Sequence, residues 1–213
     1  MSPALGPKRP ITISVAFNFV PNCESIVINP NVPDSSQRKI LSLYQNTTKR
    51  LSLHSIPPDE LRESILVQNL DCLRHHYVPN KRMTLENMLL ANSTALGVYR
   101  LDLKILNKFL KLWIRKKCNP RLEYLWTERL ELDVDSQMVL AGINNKEVSN
   151  DTLRIFKLSK KAVGANAEWL KMTDTVEVRG GYDFRRRDGT RATITVREVN
   201  GNKKLEFFVW SFV

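Results

Sequence analysis

The sequence predicts an α/β fold: irregular leucine-rich-repeat-like strand–helix units over residues 11–150, then a small three-stranded antiparallel sheet over residues 151–213. Three observations carry this reading. Short apolar runs, each followed by a polar or Pro-containing loop and a helical pattern, recur between Cys23 and Asp133. Their spacing falls within the roughly 20–29 residues of leucine-rich repeats, whose units bury their faces only by stacking on one another. Beyond Asn150 the texture changes to β-rich segments punctuated by Asp188-Gly189 and Asn200-Gly201.

Residues 1–10 read as a flexible tail. The stretch from Ile11 to Val20 alternates, with Ile11, Ile13, Val15, Phe17 and Phe19 on one side and Thr12, Ser14, Ala16 and Asn18 on the other, the pattern of a half-buried strand. The repeat strands are centred on Ile26, Leu51, Leu73, Leu96 and Leu122. Asp34 with Gln37 resembles a capping box ahead of a helix burying Ile40, Leu41 and Tyr44. Pro57-Pro58 precede a helix burying Leu61, Ile65 and Leu66. Thr84 is placed to cap a short helix through Leu85, Met88 and Leu89. Asp102 opens the clearest helix, with Leu106, Phe109, Leu110, Trp113 and Ile114 on one face and Lys104, Lys108, Lys111 and Arg115 on the other. It must stop before Pro120. Asp135 starts a last helix expected to bury Met138, Val139 and Ile143.

For the stretch GGYDFRRRDGTRATITV, from Gly180 to Val196, register decides the reading. A two-residue Asp188-Gly189 loop would mix apolar and polar side chains on each face. A three-residue loop of Arg187-Asp188-Gly189, with Gly189 in the left-handed position, pairs Phe184 with Ala192, Tyr182 with Ile194 and Gly180 with Val196, leaving one face wholly apolar. Independently, an Asn200-Gly201 hairpin pairs Val196 with Leu205, Ile194 with Phe207 and Ala192 with Val209. Arg179, Arg185, Arg191 and Arg197 then share the other face, with Arg191 opposite Trp210 at a distance suited to a cation–π contact.

Composition limits the function classes. With 213 residues, 42% hydrophobic and 26% charged, the chain has the balance of a folded domain. Its net charge of +11 favours an anionic partner without naming one. The three cysteines, Cys23, Cys72 and Cys118, lie far apart without a C-x-x-C pair, so a disulfide framework and a zinc site are both unsupported and an intracellular home, cytoplasm or nucleus, is expected. No run is long enough to span a bilayer as a helix, so no membrane partner is expected.

Catalytic signatures are not legible. The eight glycines form neither a Walker loop nor a dinucleotide motif. His75 and His76 are adjacent and in a strand would point to opposite faces, and His54 follows a strand. The carboxylates of LELDVD, Leu130 to Asp135, have no partnered base and read as a strand end and helix cap. Neither a cofactor, a metal site nor an enzymatic activity is expected.

Three blocks resemble the F-box-associated domain of type 2, a family expanded in nematodes. The first, Thr84 to Leu125, is similar to a Leu-Leu-x-Asn segment followed by Leu-Asn-x-Phe-Leu-x-x-Trp and Asn-Pro-x-Leu-x-x-Leu. The second is VLAGI, Val139 to Ile143, and the third runs from Asp183 through Arg186, Asp188-Gly189-Thr190 and Ala192-Thr193-Ile194 to the closing Val209-Trp210. The resemblance implies one compact unit that holds the target of an F-box ubiquitin-ligase adaptor. It also implies a Skp-type adaptor and a cullin as partners where an F-box is supplied. Here Met1 to Asn22 read as a tail and a β-strand rather than a helical F-box, so direct recruitment of the ligase is not expected.

The sequence therefore points to a non-catalytic protein-binding module whose target protein is unknown. A basic nucleic-acid-binding protein, using the arginine-rich sheet face and the lysine stripe non-specifically, is the alternative. Solenoid strands present their non-core positions on a shared concave face, which makes Arg50, Ser52, His54, Tyr99, Arg121 and Glu123 candidate partner-binding residues, and the hairpin adds Arg185, Arg187 and Arg191.

Overall fold

One sheet takes in every strand among the described residues. The computed structural model describes residues 11–13, 23–44, 47–55, 57, 59–76, 83–127, 136–159, 175–199 and 202–210. The tail, most of the first alternating stretch, the LELDVD segment, Asp135, Pro58 and the Asn200-Gly201 turn lie outside them. Strands β1 (Ile11–Ile13), β2 (Ser25–Ile28), β3 (Arg50–Leu53), β4 (Cys72–His75), β5 (Ala95–Val98) and β6 (Tyr124–Thr127) run parallel in chain order. Between them come α1 (Asp34–Tyr44), α2 (Asp59–Leu66), α3 (Leu85–Leu90) and α4 (Leu103–Ile114).

The register follows the predicted apolar centres for four strands, aligning Ile26, Leu51, Leu73 and Leu96 in one row. The fifth differs: Leu125, not Leu122, stands beside Leu96. After α4 the chain turns through positive φ at Lys116 and Asn119, and the Asn119 side chain donates to the Ser93 carbonyl at 3.0 Å. Leu122 is consumed in that descent, buried in the core ahead of the strand.

The C-terminal strands correct the prediction of a small three-stranded sheet. Among the described residues there are four, β7 (Lys146–Lys157), β8 (Thr175–Arg185), β9 (Arg191–Val199) and β10 (Asn202–Trp210), after the short α5 (Ser136–Leu140). They extend the same sheet in the order β6-β10-β9-β8-β7. Strand β10 pairs antiparallel with β6, setting Phe207 beside Leu125, so the apolar row begun at Ile26 continues through Phe207 and Ile194 to Tyr182. An unpaired β6 edge would be costly, and β10, whose Leu205, Phe207 and Val209 share one face, satisfies it.

The helices start where local chemistry allows. Thr84 caps α3 through a reciprocal capping box with Asn87, and Asp102 accepts from the Lys104 and Ile105 amides at the start of α4. In α1 the expected box does not form; Gln37 turns inward and donates to the Val32 carbonyl at 2.8 Å. In α5, Val139 is buried, but Met138 faces outward, against the expected burial. Asn107 of α4 holds that short helix by donating to the Val139 and Ala141 carbonyls at 2.7 and 3.0 Å. The helices cover one sheet face, where Trp113, Phe109, Leu106 and Met88 pack fully buried among the strand residues. Among the described residues no helix is long and apolar enough to cross a membrane.

Part of the opposite face, around β6 and β10, is covered by the sheet itself. A second cluster joins Phe156 and Leu158 at the end of β7 with Tyr124 and Trp126 of β6 and Phe208 of β10. Strands β6 and β7 are far apart in sheet order, so the sheet curls until its last ribbon lies over its middle. The ring contacts there are close, Tyr124 to Phe208 at 5.2 Å and Phe156 to Phe208 at 5.0 Å between centroids. Gly97 of β5 lies under the Trp126 indole, where a Cβ would collide with the ring. Gly97→Ala should therefore destabilise the fold by about 1–3 kcal/mol, read as a lower urea midpoint with an unchanged slope.

Candidate interaction surface

The arginine hairpin adopts the three-residue loop. Phe184 pairs with Ala192, Tyr182 with Ile194, Val196 with Leu205, Ile194 with Phe207 and Ala192 with Val209. Gly189 has φ +88, the left-handed conformation that only glycine adopts without strain, and its amide donates to the Arg186 carbonyl at 2.9 Å. Asp188 is the knot of the loop. It accepts from Arg186 Nε at 3.1 Å and from the Thr190 amide at 3.1 Å, and Lys116 Nζ approaches it at 3.4 Å. The Arg186 and Thr190 hydrogen bonds hold its carboxyl well below the usual range.

Of the three consecutive arginines, the middle one is structural. The Arg186 guanidinium lies 4.9 Å from the centre of the buried Trp113 ring and also donates to Thr190 Oγ1 at 3.1 Å. Beside it, the Arg187 amide donates to the Ile114 carbonyl at 2.9 Å, which satisfies one of the open carbonyls at the end of α4. The hairpin tip is thus fastened to that helix end. Arg185 and Arg187 remain exposed, and Arg191 is exposed with its guanidinium 5.4 Å from the Trp210 ring centre, as the register requires.

Trp210 is engaged from a second side, which sequence reasoning missed. Arg154 lies 5.2 Å from its centre and forms a two-oxygen pair with Asp183 at 2.7 and 3.0 Å, while Trp210 Nε1 donates to Thr193 Oγ1 at 2.7 Å. Asp183, Thr193 and Trp210 all come from the block that carried the family resemblance; Arg154 does not, and in sequence it is one more charge in an exposed strand. A second buried network, on the β6–β10 junction, centres on Glu206. Burial alone would raise its carboxyl, but Lys204 at 2.8 Å, the Tyr124 hydroxyl and Arg197 together lower it. Burial, reinforced by the Glu206 charge, pushes the Tyr124 hydroxyl well above its ordinary value.

The strand-face candidates are not an open concave surface. Ser52 is completely buried and Arg50 is 7% exposed, donating to Ser25 Oγ at 3.4 Å. His54 and His76, just past the ends of β3 and β4, stack at 3.6 Å between ring centroids. Tyr99 is half-buried, with the Arg100 guanidinium 5.9 Å from its ring. Arg121 donates to the Asn92 carbonyl and Thr94 Oγ1 and pairs with Asp71 at 3.8 Å, and Glu123 accepts from the Ser159 amide at 3.0 Å. The expectation of exposed solenoid positions fails at Arg50 and Ser52, which are buried.

Burial shifts the histidines and the thiols in opposite directions. The His76 ring is lowered to about 3 by burial, then by Arg74, His54 and His75, and His75 is lowered by burial and Arg62. The thiols of Cys72 and Cys118 are pushed up to about 12 by burial, which leaves them unreactive, and all three cysteines are free and buried. Among the described residues no cluster of His, Cys, Asp or Glu has the makings of a metal site. A cavity of about 220 Å³ opens between α5 and the bend of β8, lined by Val139, Glu147, Arg179, Tyr182 and Ile194 among others.

Two tests follow. Charge reversal at Arg185 or Arg187 should change stability by less than about 0.5 kcal/mol, whereas Arg186→Ala should cost about 1–2 kcal/mol and Asp188→Ala should lower the denaturation midpoint, measured by chemical denaturation. For pH, the neutral histidines bind protons only when unfolded, between the ordinary value of 6.5 and, for His76, about 3. Stability should therefore fall as pH drops through that window, by about 1–2 kcal/mol between pH 7 and pH 5, and His76→Gln should flatten the dependence.

Comparison with known proteins gives a family match, whereas no curated protein and no solved structure matches the chain. The matched family is one of protein-interaction segments, described as F-box associated. It covers α2 to β6, the stretch in which the Thr84–Leu125 block and the α4 helix lie. Over residues 62–127, this chain is similar to the F-box associated family.

Proposed function

We propose that this chain is a non-catalytic protein-binding module that holds a target for F-box-dependent ubiquitin ligation. The observation that carries the reading is the F-box associated match, which takes in the helix-covered parallel strands β4 to β6. In this reading the strand–helix units act as a stacked, leucine-rich-repeat-like scaffold, and the target binds on hairpin and helix surfaces rather than on the strands. The inert thiols and depressed histidines agree with a module that binds and does not react. A Skp-type adaptor and a cullin would join through an F-box supplied elsewhere, and the working place would be the cytoplasm or nucleus.

Co-purification of the tagged native protein after nuclease treatment, with recovered proteins identified by mass spectrometry, tests this. A specific protein partner should persist at physiological salt. Loss of every partner on nuclease treatment would sink the reading in favour of non-specific nucleic-acid binding through the arginine and lysine faces.

A further inference from the structure

The contact between the hairpin and α4 joins two charge runs that are far apart in sequence. Lys104, Lys108, Lys111 and Arg115 lie on the side of α4 directly away from the buried Phe109 and Trp113. At about 1.5 Å per residue the row is about 17 Å long. It ends at Lys116 and Lys117, and there the hydrogen bond from the Arg187 amide to the Ile114 carbonyl sets the hairpin arginines against the helix end. Asp188, the acid at this corner, is already taken by Arg186 and Lys116. Among the described residues no carboxylate pairs with the four α4 cations, Lys117, Arg185 or Arg187.

We propose that this cationic ridge, running the length of α4 and turning onto the hairpin tip, is the docking surface for an acidic protein segment that alternates carboxylates with apolar residues. The proposal rests on the module reading above and names the partner chemistry of that module. Charge complementarity sets the sign. The flanks set the class: the helices on either side expose apolar side chains, Leu90 of α3 and Met138 of α5, which suit an amphipathic peptide and offer a phosphate backbone nothing. A nucleic-acid platform would present rings for stacking, whereas the α4 rings, Phe109 and Trp113, are wholly buried. An extended segment rises about 3.3 Å per residue, so five or six residues span the helix and two or three more reach Arg187 and Arg185.

The test uses fluorescence anisotropy with the full chain and a labelled synthetic peptide of alternating Glu and Leu, beside single-stranded and duplex DNA of equal charge. The peptide should bind more tightly than either DNA, with affinity falling as salt rises. The exposed triple variant K108E/R115E/R187E should keep the wild-type melting transition and lose on the order of a hundredfold in peptide affinity. DNA binding as tight as the peptide overturns the assignment, and so does a triple variant that binds the peptide as the wild type does. Neither result touches the module reading, which fails separately if the wild type retains no protein after nuclease treatment.

Discussion

The arrangement depends on the ring of Trp113. It stands edge-on to Phe207 at 5.1 Å and to Phe184 at 6.4 Å between centroids, with the Arg186 guanidinium over its face. Through those contacts one helix of the parallel half is coupled to β10, β8 and the hairpin tip of the antiparallel half. A fully buried indole in such a setting contributes area and direction together, because edge-to-face rings and a stacked guanidinium prefer only a few mutual orientations. The position of the hairpin against the end of α4, and the ridge that results, follow from this anchor.

The family-like block near the C-terminus reads differently once its residues are placed. Asp183 holds Arg154 and Thr193, Arg186 covers Trp113, and Asp188 closes the loop with Thr190. Gly189 supplies the left-handed turn, and Ala192 sits fully buried where a larger side chain would not fit. These residues build the scaffold. The arginines between them, Arg185, Arg187 and Arg191, are the ones that face outward.

Local rules made much of this legible. Period and turn chemistry gave the four aligned repeat strands, the caps at Thr84 and Asp102, and the hairpin register, because each is decided within a few residues. What failed was non-local. The pairing of β10 with β6 joins positions some eighty residues apart, and nothing in either strand announces the other. The curl that closes the second aromatic cluster has the same origin, since alternation reports that one face is polar but not whether another part of the sheet will return to cover it. Arg154 and Arg186 look like solvated charge until the rings they lie on, Trp210 and Trp113, are brought to them.

The placement of β10 between β6 and β9 has a consequence for biosynthesis. Of the ten strands among the described residues, the one that bridges the two halves comes last in the chain. Until it emerges, the parallel half has an open edge along β6, and the β8–β9 hairpin has no partner on its other side. The nascent chain therefore carries an open β6 edge from residue 127 onward and an open β9 edge only just before β10 emerges, and β10 closes both at once. A ribosome that stops a few codons short of Trp210 releases a species primed for aggregation or chaperone capture rather than a slightly weakened fold.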